Sequence, residues 1–188
     1  MNIAKAFKSS LSAGAIFIAA LTLASHKLPA KTPAAEQEIR TMMERFSDIL
    51  NNNPSPAMIG NFLESALSNQ AAITLEVMQA GTEAERPVKS ILDKADYISG
   101  YSYRPRMIKD YAVSIQVENF ETLTDSKGWA SKITFIESGA AQRTASLRSG
   151  KAFTSFTTCD GIYNYDQNKT LVLEKAFCRT EIFTERGV

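Results

Sequence analysis

The stretch that decides the fold is Tyr111–Glu118, YAVSIQVE, because its apolar residues recur at every second position. Tyr111, Val113, Ile115 and Val117 alternate with Ala112, Ser114, Gln116 and Glu118. Successive strand side chains point to opposite faces, so the pattern predicts an antiparallel strand with one buried and one wet face. A slip of one residue would turn every apolar side chain outward, which pins the phase.

Upstream of this strand the dominant period is helical. Ile39, Met42, Met43, Phe46, Ile49 and Leu50 share one face of a helix. Thr32 can cap it, Pro33 suits its first position, and Glu36 and Glu38 complement its N-terminal dipole. Asn51-Asn52-Asn53-Pro54 ends it, and Ser55-Pro56 starts a second helix that buries Ile59, Phe62, Leu63, Ala66 and Leu67. Ala71–Met78 fits either a helix continuation or a first short strand, and leans to the strand. Gly81–Pro87 is a polar connection. Ser90–Tyr101 reads as a third short helix with Ile91, Leu92, Ala95 and Ile98 inward, broken at Arg104-Pro105.

Downstream, Asp125–Gly128 is a turn, and Trp129–Ile136 is a second strand with Trp129, Ile133 and Phe135 on one face. Glu137–Gly150 reads as a loop with room for a short strand. Phe153–Tyr165 and Thr170–Thr184 make a last hairpin around Asp166–Lys169. Helices first and strands afterwards mean an α+β fold. The expected architecture is N-terminal helices packed on a curved, cone-like antiparallel sheet, with a C-terminal hairpin joined by a disulfide. Phe46 and Phe62 are expected above the apolar sheet face.

The chain has two cysteines, and both fall in that hairpin. A turn at Asp166–Lys169 sets Cys159 and Cys178 nearly opposite each other, one small bulge out of register. Opposed Cβ atoms on neighbouring strands are close enough to bridge. A redox-active pair is the rival reading, but such pairs favour closer spacing such as C-x-x-C. A structural disulfide is expected.

The first residues point the same way. Lys5 and Lys8 form a basic n-region, Leu11–Leu23 is an apolar run, and Thr22 and Ala24 are small residues before a cut. That is the layout of a secretory signal peptide, and a bilayer-spanning helix needs about 20 apolar residues. The expected organisation is a signal peptide over 1–24, a flexible lead over 25–33 and one α+β domain over 34–188. A periplasmic or secreted location follows, with cleavage near Ala24 and no stable membrane insertion afterwards. Disulfides persist in such oxidising compartments.

Composition excludes several functions. Cleavage removes two of the 21 basic residues and none of the 20 acidic ones, for a net charge near −1. No basic block remains to neutralise a phosphate backbone, so no nucleic acid partner is expected. The one histidine, His26, lies in the lead, so the folded part offers no histidine triad or histidine-ligated zinc. No phosphate loop, serine elbow or metal-ligand cluster is present in the sequence, and no metal or cofactor is expected.

Asp93, Asp96, Asp110, Glu118, Glu121 and Glu137 lie where a pocket can form, but most occupy solvated phases. Asp110 precedes the apolar run of its strand and Glu137 follows that of its own, which puts both at places where a strand can reach a cavity mouth. Tyr97, Tyr101, Tyr103 and Tyr111 cluster in sequence, as pocket walls or as core residues with a wet hydroxyl. The residues expected to line a cavity are Phe46, Phe62, Tyr97, Tyr111, Val113, Ile115, Trp129 and Phe135. No catalytic residue is assigned.

Helices such as IRTMMERFSDIL and AMIGNFLESALS, followed by strands such as MIKDYAVSIQVENF and WASKITFIE, give an order that resembles the nuclear transport factor 2-like superfamily. The resemblance spans roughly residues 34–184. It implies an α+β cone and a role among isomerases and cyclases, small-ligand binders, or exported envelope and secretion components. The expectation is an exported, non-enzymatic module that binds a small apolar ligand or an envelope protein. Two alternatives stay open. One is an accessory or assembly subunit of a secretion or envelope complex, and the other is a cofactor-free isomerase or cyclase. A homodimer through the sheet is compatible with each.

Overall fold

Three helices pack on one face of a six-stranded sheet in the computed structural model, which describes residues 33–79, 87–124, 128–141 and 152–184. The segment read as a signal peptide, the Gly81–Pro87 connection except its last residue, and most of the Asp125–Gly128 turn lie outside the described residues.

Helix α1 (Ala34–Asn51) buries Ile39, Met43, Phe46 and Leu50 of the expected stripe, leaves Met42 and Ile49 half-buried, and adds Ala35. Pro33 occupies the capping position just outside the helix, not its first turn, and makes no side-chain cap bond. Asn53 takes a left-handed φ of 48° and turns the chain away. Helix α2 (Pro56–Ala66) starts at Ser55, whose hydroxyl accepts the Met58 N–H at 3.2 Å. It buries Ile59, Phe62, Leu63 and Ala66. Leu67 is buried as well, but it opens strand β1 (Leu67–Gln79), so the ambiguous Ala71–Met78 segment is strand.

Strand β2 is Val88–Asp93, helix α3 is Lys94–Ser102, and a 3-10 turn covers Arg104–Met107. Strands β3 (Ile108–Thr122), β4 (Trp129–Ala141), β5 (Ala152–Tyr165) and β6 (Leu171–Thr184) complete the sheet, in the order β2-β1-β6-β5-β4-β3. All neighbours run antiparallel except β1 and β6, which are parallel. The sheet is therefore mixed. Parallel neighbours need a long crossover, and here the intervening chain supplies it, so neither strand's own pattern signals the pairing.

Two local readings are corrected. Ser90–Asp93 belongs to β2, where Ile91 pairs with Thr74 of β1 and is 72 % exposed. Pairing with β1 overrides the helical spacing, and the Asp93 carboxylate, which accepts the Asp96 N–H at 2.9 Å, starts the helix only after it. Glu137–Ala141 was expected in a loop with room for a short strand but continues β4, paired with β3 across a bulge and with β5 as far as Ala140. Glu137 looked like the polar end of a strand. Its partners across the fold allow the strand to carry it inward.

The strand quoted first has the phase it was given. Val113 is buried, Tyr111, Ile115 and Val117 are half-buried, and the four alternating residues are exposed. The Asn51 side chain ties α1 to it in the manner of a strand partner. Its amide donates to the Val113 carbonyl at 2.8 Å and its oxygen accepts the Val113 N–H at 2.9 Å.

The final hairpin pairs Cys159 with Cys178 directly, and the two are joined by a disulfide with Cα atoms 4.0 Å apart. The register shifts between Ile162 and Tyr163, and this bulge brings the cysteines opposite each other.

Candidate functional site

The side chains between helices and sheet form two neighbouring apolar clusters. One gathers Phe46, Ile59, Phe62, Ile73 and Val113, and the other gathers Ile39, Met43, Ile133, Tyr163 and Leu171. The Phe46 and Phe62 rings stack at 4.8 Å. Packing is incomplete where the helices cross the sheet, and two cavities remain.

The apolar chamber, about 60 Å³, lies among Met42, Met43 and Phe46 of α1, Phe62 and Leu63 of α2, and the inward residues of β1, β4, β5 and β6. Its lining carries no charged side chain, and its hydroxyls are those of Tyr97 and Tyr163. Burial raises the pKa of both, that of Tyr97 to about 12 with a further contribution from the Glu137 charge. Both are neutral donors at ordinary pH.

The polar chamber, about 100 Å³, has Tyr101, Arg104, Glu137, Thr157 and Thr180 in its wall together with Leu75, Val77 and Ile182. Tyr97, Phe135 and the Cys159–Cys178 bridge line both chambers. The disulfide is thus part of the partition as well as a clasp on the hairpin.

Glu137 organises the polar end. It is 3 % exposed, a placement that an ionised carboxylate tolerates only when paired and hydrogen-bonded. Oε1 accepts the Tyr111 hydroxyl at 2.6 Å and the Tyr101 hydroxyl at 3.2 Å. Oε2 accepts Arg104 Nη2 at 2.7 Å and the Ser155 hydroxyl at 3.2 Å. A carboxylate has about four lone-pair positions, so these four contacts saturate it. Burial, and then the Glu137 charge, hold the Tyr101 and Tyr111 protons well above the ordinary tyrosine range. For Arg104, burial is the largest influence and opposes the charge, but Glu137 together with Tyr101 and Tyr111 outweighs it, and the pKa rises.

A bulge in β3 aims Tyr111 at this carboxylate. Asp110 takes φ 53°, the register shifts between Lys109 and Ala112, and Gly139 lies across from it at φ 156°. A Cβ at Gly139 would come within 2.3 Å of Ile108 Cγ2 and 2.9 Å of the Lys109 carbonyl. Only glycine allows the backbones to approach so closely.

Of the residues expected to line a cavity, Phe46, Phe62, Tyr97 and Phe135 border the chambers. Tyr111 belongs to the Glu137 cluster, Val113 is in the core, and Ile115 packs against both apolar clusters. Trp129 packs on the second cluster and meets the Tyr165 ring edge-on at 5.1 Å. Glu137 reaches the polar chamber, whereas Asp110 sits exposed at the bulge. Asp93 caps α3, Glu118 accepts the Thr134 hydroxyl, and Glu121 accepts the Asn119 amide, so these acids serve local structure. Tyr103 is 57 % exposed and stands apart from the other three tyrosines. Sequence reading missed Arg104, taken only as a helix breaker, and Ser155. The proximity of Arg104-Pro105 to the tyrosine cluster was the available signal for the first, and Ser155 offered none.

The opposite face of the sheet is of another kind. It holds a wide depression of about 650 Å³ whose lining includes Glu121, Lys132, Asp160 and Lys175, and an exposed edge-on pair, Phe156 and Phe183. Among the described residues no cluster of side chains is suited to a metal ion, and no helix is long and apolar enough to cross a membrane.

No family model and no curated protein matches the chain. Solved structures do. LinA is 10 % identical with a TM-score of 0.53, over 82 % of this chain and 92 % of that one. A naphthalene 1,2-dioxygenase with indole bound in its active site is 8 % identical with a TM-score of 0.52, over 81 % of each chain. A conserved protein from Planctomyces limnophilus DSM 3776 is 10 % identical with a TM-score of 0.51, over 78 % of this chain and 96 % of its own. At such identities the likeness is one of fold alone. The fold is of the α+β kind that the resemblance to the nuclear transport factor 2-like superfamily implies, with three helices packed on a six-stranded mixed sheet.

Proposed function

We propose that this chain is an exported, non-enzymatic module that binds a small, mainly apolar ligand between its helices and its sheet. The observation that carries the reading is the apolar chamber, a cavity in the core whose lining is uncharged throughout. Pockets of that character, with a few convergent polar groups, are the usual sites of small-molecule binding. The saturation of Glu137 supports binding over catalysis, because a general base needs a free lone pair within reach of the proton it takes. Export is supported by the formed disulfide and by the sequence of the first 24 residues.

The chambers are small. A cavity of roughly 150 Å³ holds a benzene, and each chamber is below that size. A ligand of one ring therefore needs the Tyr97 or Phe135 ring to swing and join the two. Methyl NMR on the methionines gives a direct test with benzene as the probe. Met42 and Met43 border the apolar chamber, while Met58 and Met107 are 52 % and 61 % exposed and serve as controls. Saturable shifts confined to Met42 and Met43 are expected. Shifts at the exposed methionines alone, or none, refute the reading.

A further inference from the structure

The apolar chamber has two hydroxyls that the fold leaves unused. Tyr101 and Tyr111 donate to Glu137, and Tyr165 donates to Glu38. Tyr97 and Tyr163, which line the apolar chamber, have no hydrogen-bond partner among the described residues. Neither phenol oxygen is sealed in. The enclosed side-chain atoms without a partner are Ser102 Oγ and Arg104 Nε, so the two phenols keep surface that an occupant can touch. Tyr163 is only 2 % exposed, and the open space beside it is the chamber. Gly161 keeps that space clear. A Cβ there would come within 3.3 Å of the Tyr163 hydroxyl and 3.0 Å of Leu173 Cδ1, and all three residues line the chamber. The two hydroxyls are near enough for charge on Tyr97 to act on Tyr163.

We infer that the Tyr97 and Tyr163 hydroxyls both donate to one neutral carbonyl oxygen of an otherwise apolar ligand held in the apolar chamber. The inference rests on the binding role proposed above and names the ligand class. A hydroxyl taken out of water without a partner is costly, and a ligand oxygen removes that cost. A carbonyl oxygen has two lone pairs, one for each phenol. An anionic oxygen is disfavoured, because the lining holds no cation and a buried charge needs a partner. An alkyl group in the same place leaves both donors unsatisfied. The rest of the wall, with Met42, Phe62, Ile133 and Leu173, suits hydrocarbon.

Cyclopentanone, methylenecyclopentane and butanoate are probes of similar size that present a carbonyl, a carbon in its place and a carboxylate. Affinities are read from the Met42 and Met43 methyl shifts of the intact, oxidised protein. Tyr97→Phe and Tyr163→Phe each remove one oxygen and keep the ring, and neither strands a partner elsewhere in the fold. Each is expected to weaken cyclopentanone about fivefold, the order of one net hydrogen bond. Methylenecyclopentane should stay within about twofold in both variants, and butanoate should bind the unmodified protein more weakly than cyclopentanone. Unchanged cyclopentanone affinity in both variants overturns this inference and leaves the binding role standing. A loss in one variant alone overturns the shared acceptor. Tighter binding of butanoate than of cyclopentanone overturns the neutral carbonyl. Failure of all three probes to bind removes the inference and the binding role together.

Discussion

The Tyr111 hydroxyl donates to Glu137 Oε1 at 2.6 Å, across the paired strands β3 and β4. Tyr111 can do so because the Asp110 bulge tilts it toward the carboxylate, and Gly139 leaves room for the bulge. Removing the acceptor strands four donors, one of them a guanidinium. Glu137→Ala should therefore lower stability by several kcal/mol, on the order of 3–5, as for other broken buried pairs. Tyr111→Phe removes one donor and should cost about 1–2 kcal/mol. Urea denaturation of the two variants measures the difference, and equal stabilities would show that the cluster is not coupled.

Gly139→Ala tests the bulge itself. The added Cβ meets Ile108 and the Lys109 carbonyl in a backbone conformation that L side chains rarely adopt. A loss of about 1–3 kcal/mol is expected, the range of backbone strain and overpacking. An unchanged denaturation midpoint would mean that the two strands are not so closely apposed.

Strand phase is tested by a pair of neighbours. Ile115 packs against both apolar clusters, and Gln116 is exposed on the other face. Ile115→Asp should cost several kcal/mol by burying an unpaired charge, while Gln116→Asp should stay within about 0.5 kcal/mol. Equal effects in chemical denaturation would place the strand in the other phase.

Alkaline pH should unfold the protein through its tyrosines. Folding raises the Tyr97 pKa to about 12 from an ordinary value of 10.0, by burial first and by Glu137 second. Between these values the unfolded chain has lost the proton and the folded chain retains it, so stability falls as pH rises. The contribution is intact below pH 10 and disappears as pH climbs through about 12. Tyr101 and Tyr111 shift in the same direction. Tyr97→Phe should flatten the decline above pH 10, measured as urea midpoints across that range; an identical slope would exclude Tyr97 as a contributor.

Thiol titration of the denatured, unreduced protein should find no free thiol, since Cys159 and Cys178 are bonded to each other. Replacing both with serine should lower stability by about 3 kcal/mol, the loop-entropy value for a separation of 19 residues. Two reactive thiols would refute the bridge. Intact mass of protein recovered from expressing cells separately tests cleavage near Ala24, and retention of Met1 would contradict it.

The sequence by itself determined what depends on near neighbours. The two-residue period at Tyr111–Val117 set which side chains face inward, because a strand repeats its faces regardless of its partners. The helical stripe from Ile39 to Leu50 did the same for α1, and Ser55-Pro56 marked the start of α2. Cys159 and Cys178 could be paired from one turn, since a hairpin links register directly to turn position. Tertiary structure alone decided the rest. Ile91 sits in a strand because β1 lies beside it, and β1 is parallel to β6 because of a pairing about a hundred residues apart, as at Glu76 and Arg179. Glu137 draws its donors from 18, 26, 33 and 36 residues away, so no local pattern could show that a lone acid at a strand's polar end is the most heavily bonded carboxylate of the described site. Periodicity reports which way a side chain points. What it meets there is set by contacts whose sequence separation has no period.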